Sequence, residues 1–197
     1  MADEFRNFKH LSGVMSNGVD FKIIRRIGGP NTAVVIAPHG GKIEPGSSEI
    51  ADRIADNDFG FYSFEGMRSS GNGRLHITSS HFDEPIAVAM VRRAKVVVAI
   101  HGRKDDGDRA TVYLGGLHAD LSEAIGRKLE GAGFCTRLNG HKFSGTDPAN
   151  ICNRSNNGMG AQLEIPATLR RVLTQCGKEA DLAAFSCAIR AAVNEHL

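Results

Sequence analysis

Two nearly continuous apolar runs, TAVVIAPH (32–39) and KVVVAIHG (95–102), dominate the pattern of the chain. Both are rich in β-branched residues, as expected of central strands covered on both faces. Shorter runs, GVDFKIIRRI (18–27), FGFYSFEG (59–66), RLHITS (74–79), TVYLGG (111–116), FCTRL (134–138) and GAQLEIPA (160–167), predict further strands, with FCTRL at an edge. Helical patterns lie between them. EPGSSEIADRIADND sets a serine before the periodic Ile50 and Ile54, with Glu49 in the first turn, which predicts a capped start. EPIAVAMVRRA (84–94) carries proline in its first turn, where the missing N–H does no harm. LHADLSEAIGRKLEGAG (117–133) is amphipathic, and KEADLAAFSCAIRAAVNEHL (178–197) spaces Leu182, Phe185, Ile189 and Val193 along one helical face. From Asn139 to Gly160 the chain is rich in Gly, Asn, Pro and Ser and has no period, the signature of a functional or mobile loop. The alternation predicts an α/β fold, one domain over 1–197, with a mixed, largely parallel central sheet flanked by helices.

Composition adds limits. With 197 residues and 41% apolar content the chain can bury one substantial core. Its formal net charge of +2 provides no whole-molecule field to recruit nucleic acid or an anionic membrane. The apolar runs fall far short of the roughly 20 residues that span a bilayer. MADEFRNFKH lacks the basic-then-apolar layout of a secretory signal, so cytoplasmic synthesis as a soluble protein is expected. Cys135, Cys152, Cys176 and Cys187 form no CxxC pair, which argues for free thiols over a zinc ribbon or a disulfide framework. Cys152 reads more simply as a small buried residue than as a nucleophile. Nothing in the pattern sets an oligomeric state.

The two main strands end alike, in APHGG and AIHG. In open α/β sheets, ligand sites collect at the carboxyl ends of strands. His39 and His101 are therefore candidates to converge there, with Glu44 returning from the intervening glycine-rich loop. Two histidines and one carboxylate leave one position open on a tetrahedral Zn²⁺, the arrangement of a catalytic site. The competing reading is of histidines hydrogen-bonded in loops. A hydrolytic zinc also needs a base beside its water. In GAQLEIPATLRR, alternation puts Ala161, Leu163 and Ile165 on one face and Gln162 and Glu164 on the other. On a central strand Glu164 is a buried carboxylate; on an edge strand it stands in solvent. Both readings fit the pattern.

Other polar residues have weaker claims. Asn153 and Arg154 directly precede that strand, where a guanidinium can clamp a substrate carboxylate or steady an oxyanion, or simply bond the loop. His76 falls inside an expected strand and is either a substrate contact or a core histidine. His81 is an alternative ligand, and His118 and His141 are reserves. RKDDGDR (103–109) reads as a solvated turn after His101.

The ordered segments APHGGKIEPGSSEIA, LHITSSHFDEP, VVVAIHG, YLGGL, NICNRSNNGMGAQLEIP and LR resemble the poly-γ-glutamate hydrolases of bacteriophages and their bacterial relatives, a family distantly similar to zinc carboxypeptidases. The resemblance runs from about Asn31 to Arg170. It implies a zinc carboxypeptidase-like α/β fold, one Zn²⁺ held by His39, Glu44 and His101, Glu164 as catalytic base and Arg154 as a substrate-binding arginine. The implied substrate is poly-γ-glutamate, whose free carboxylates would meet Arg154 or one of Arg103, Arg109 and Arg170. A phage-encoded member would reach capsule polymer after lysis. The five-residue gap from His39 to Glu44 departs from the three-residue gap of carboxypeptidases. Two other classes stay open: a zinc amidase or deacylase for a small acidic or acylated substrate, and a non-catalytic domain in which metal ties two loops together.

Overall fold

The computed structural model describes residues 3–28 and 33–197. Thr32, where the second strand is expected to begin, lies outside them. In chain order the elements are α1 (Phe8–Ser12), β1 (Phe21–Arg26), β2 (Ala33–Gly41), α2 (Ser47–Ala55), β3 (Gly60–Gly66), α3 (Pro85–Arg93), β4 (Val96–Arg103) and β5 (Val112–Gly115). Then follow α4 (Ala119–Gly131), β6 (Thr136–Arg137), β7 (Ala161–Pro166), α5 (Ala167–Leu173) and α6 (Glu179–Asn194). Short 3₁₀ turns occupy Asn72–Leu75 and Ile151–Arg154.

One seven-stranded sheet runs β1-β3-β2-β4-β7-β5-β6. Its centre, β3-β2-β4-β7, is parallel; β1 and β5 pair antiparallel with β3 and β7. Alternation along the central strands feeds two cores. Val35, Val98, Leu163 and Ile165 pack with α2, α4 and α6 on one face, while Ile36, Val97 and Ala99 pack with Tyr62, Phe64, Phe82 and α3 on the other. Near-continuous apolar runs are the sequence consequence of this double cover.

Several expectations need correction. RLHITS is not a strand: Leu75 and Ile77 are fully buried, which creates the alternation, but the segment joins no ladder. Its backbone groups are met by local turns and by side chains instead: His76 N–H donates to the Gly73 carbonyl, Thr78 N–H donates to Asp3 Oδ2, and the Ile77 carbonyl meets His39 Nε2. No serine caps α2. Its cap is Gly46 at φ +93°, and the Ser47 hydroxyl donates to the Glu44 carbonyl at 2.8 Å. The edge strand β6 is only two residues long, and α5, directly after Pro166, has no counterpart in the sequence reading. β7 lies between β4 and β5, so the solvent-edge alternative for Glu164 is excluded. No helix among the described residues is long and apolar enough to cross a membrane.

Candidate functional site

β2 carries His39 at its carboxyl end, 2% exposed. Strict alternation would put His39 on the face of Val35 and Ala37. The register with β3 slips by one residue between Ala37 and Gly40, and such a bulge re-aims side chains. His39 instead meets His76, Phe82 and the Ile77 carbonyl. Gly40 permits this crossing, since a Cβ there would lie 2.3 Å from both Ser48 Oγ and Ser63 Oγ. The chain then folds back, Glu44 N–H donating to the His39 carbonyl at 3.0 Å, and this turn brings the Glu44 carboxylate beside the ring.

His101 lies near the carboxyl end of β4, in register with Glu164 on the adjacent β7. His39 Nδ1 is 3.1 Å from His101 Nδ1 and 3.4 Å from Glu44 Oε1, and His101 Nδ1 is 3.9 Å from Glu44 Oε2. Ligands at about 2.0–2.2 Å from a tetrahedral ion stand roughly 3.3–3.6 Å apart, and the three separations bracket that range, so shifts of a few tenths of an ångström would seat a single divalent metal. The supporting bonds fit as well. His39 Nε2 is 2.8 Å from the Ile77 carbonyl, which requires hydrogen on Nε2 and leaves the Nδ1 lone pair facing the other two donors. His101 Nε2 faces Ser79 Oγ at 3.4 Å. Glu44 Oε2 accepts from Gly102 N–H at 2.7 Å. His39, Glu44 and His101 thus form a candidate metal site.

Electrostatics divides these groups. Burial, and then the charge on His39, push the His101 imidazole down to about 3. For His39 burial acts downward too, but the Glu44 charge and hydrogen bond outweigh it, and the net direction is up. Burial would raise Glu44, yet the two imidazoles and the Gly102 N–H hold it at about 2. Glu164 goes the other way: burial first, then the Glu44 charge, push it up to about 8. Between its ordinary value of 4.5 and about 8, the metal-free folded protein keeps a Glu164 proton that the unfolded chain releases. The stability carried by that proton is complete below pH 4.5 and is lost as pH rises toward 8. Melting temperature of the metal-free wild type is therefore expected to fall relative to Glu164→Gln over this interval; parallel melting profiles would contradict the raised carboxyl.

The cluster sits in a cleft of about 870 Å³. A family model for poly-gamma-glutamate hydrolases matches residues 5–186. The chain belongs to the poly-gamma-glutamate hydrolase family. It is 34% identical to a bacteriophage poly-gamma-glutamate hydrolase of known structure, with a TM-score of 0.91 and 98% of each chain covered. Against the structure of zinc-free YndL the TM-score is 0.89 at 29% identity, with both chains fully covered. In sequence it is 35% identical to YndL of Bacillus subtilis (strain 168) over 173 residues, which cover 87% of this chain and 67% of that protein. The chain therefore spans about two thirds of the length of this curated relative.

Within this family member, His76 lines the cleft and stacks on His39, ring centroids 4.0 Å apart. Asn153 and Arg154 do not line it. Arg154 donates to the carbonyls of Ala149, Phe82 and Ser80, so its guanidinium is spent on stitching loops together. Asn153 accepts from Leu117 N–H and donates to the Gly145 and Asp147 carbonyls. His81 is exposed and outside the donor cluster, His118 caps α4, and His141 stacks on Tyr113. Burial pushes the Cys152 thiol up to about 12, which leaves it unreactive at neutral pH.

The cleft cations lie elsewhere, at Arg103, Lys104, Lys142 and Arg170. Arg170 is 5% exposed and donates to the carbonyls of Pro45, Arg103 and Ile165. Its guanidinium occupies the space over Gly102, where a Cβ would come within 2.3 Å of Cζ. Gln162, on the same face of β7 as Glu164, donates to Glu164 Oε1 at 3.4 Å. The alternation in AQLE already put these two together; Ile77 and Ser79, which hold the ligand rings, carried no comparable signal.

Proposed function

We propose that this protein is a zinc-dependent hydrolase of the γ-linked amide bonds of poly-γ-glutamate, with His39, Glu44 and His101 holding one Zn²⁺ and Glu164 carrying the proton. The observation behind this reading is the convergence, in one cleft, of three donors within 4.8 Å of one another with a buried, high-pKa carboxyl from the neighbouring strand. Bound there, the dication would act as a Lewis acid, bring the pKa of water to about 7 and offset the burial that keeps Glu164 protonated.

The chain supplies the rest. Glu164, once ionised, accepts a proton from the attacking water and delivers it to the leaving amine nitrogen. Gln162 holds the carboxyl in place, and its own carbonyl is anchored by Asn150 Nδ2 at 2.8 Å. Lys104 and Lys142, both exposed at the cleft, suit a polymer with one carboxylate per repeat. Arg170 adds positive charge beside Glu44 and Glu164.

The test is to incubate the zinc-loaded protein with purified poly-γ-glutamate and follow chain length. Shortening is expected, lost with a chelator and restored by zinc. Polymer that keeps its length beside folded, zinc-loaded protein would refute the proposal.

A further inference from the structure

The cleft wall from Gly73 to Ser80 is braced by residues about 70 positions earlier in the chain. Asp3 Oδ1 lies 2.7 Å from His76 Nδ1, and Asp3 Oδ2 accepts from Thr78 N–H at 2.6 Å. Beside it, Glu4 pairs with both Arg74 Nε and Nη2, at 2.7 and 2.6 Å, and Phe5 is buried in the core with Phe82. An ionised carboxylate only accepts hydrogen bonds, so the hydrogen between Asp3 and His76 belongs to Nδ1. Stacking on His39, with the ring planes 29° apart, fixes the ring. His76 Nε2 has no protein partner among the described residues and is not among the buried unpartnered atoms, so it opens on the cleft that His76 lines.

We propose that His76 binds substrate, its Nε2 accepting a backbone amide N–H of the polymer, and that Asp3 is the positioning residue that makes this nitrogen the acceptor. The proposal rests on the polyamide-hydrolase reading above. A γ-linked polyamide offers two handles per repeat, a carboxylate and an N–H. The cleft cations suit the first. The second needs an acceptor, and the nearby candidates are engaged: Glu44 with His39 and Gly102, the Gln162 carbonyl with Asn150. A neutral imidazole nitrogen also accepts without adding negative charge against a polyanion.

His76→Phe keeps a ring against His39 and removes the nitrogen. With an amide-linked oligo-γ-glutamate it is expected to raise KM about five- to tenfold, the worth of one hydrogen bond, with kcat and bound zinc near wild type. Asp3→Ala should raise KM by less, and ¹⁵N NMR should find His76 Nδ1 protonated in the wild type and the tautomers mixed in the variant. With an oligomer carrying ester oxygens in place of amide N–H groups, wild type and His76→Phe should have equal KM. An unchanged KM for the amide, or equal losses on amide and ester, overturns the proposal while leaving the hydrolase reading intact. A wild type that cleaves nothing overturns both. Should His76→Phe not fold, binding to Glu164→Gln decides: the ester must bind about five- to tenfold more weakly than the amide.

Discussion

Glu164→Gln is expected to fold, to retain one bound zinc at saturating metal and to lose about 10²–10⁴ of kcat on poly-γ-glutamate. Folding should survive because below pH 8 the metal-free protein already holds Glu164 as a neutral acid, which glutamine imitates in size and polarity. The donor atoms of His39, Glu44 and His101 are untouched, so metal content should stay the same. What disappears is a group that can take a proton and give it back, and a loss of this size corresponds to about 3–5 kcal/mol of barrier. Single-turnover kinetics on the zinc-loaded variant, with metal content measured on the same sample, is the direct check. Turnover within a few-fold of wild type would remove Glu164 from the chemistry.

Zinc should also change the stability of the protein, because the unfolded chain cannot reproduce a site built from residues 62 apart. At a free zinc concentration of 100 Kd the folded state gains about 2.7 kcal/mol, or about 5–10 °C in Tm for a domain of this size. His101→Ala should abolish the rise, and polymer cleavage with it. Glu164→Gln should keep the rise. A thermal shift series with and without chelator separates these cases, and an equal shift in wild type and His101→Ala would show that zinc binds elsewhere.

Much of the sheet was legible from period alone, because β2 and β4 are covered on both faces and their apolar runs have no competing explanation. The ends of those strands were legible too: a histidine followed by glycine, twice, at the carboxyl edge. Local chemistry misled where alternation arose from something other than a ladder. Leu75 and Ile77 are buried like strand residues, yet the peptide group that joins Ile77 to Thr78 serves Asp3 and His39. Arg154 drew attention by its charge and its place before β7, but neither feature records that its donors meet three loop carbonyls. The bulge that turns His39 toward His101 leaves no trace in composition, since it is a matter of pairing with β3. Asp3 lies 73 residues from its partner, beyond any spacing rule.

The position of β7 has a further consequence. It enters the sheet between β4 and β5, although both precede it in the chain. A nascent polypeptide halted after β6 and before residue 161 therefore owns all three metal donors but leaves a slot at the middle of its sheet. Through most of synthesis the growing protein is without the proton carrier assigned to Glu164, and the insertion of one late strand completes the hydrogen-bonded ladder and the reaction centre in a single event.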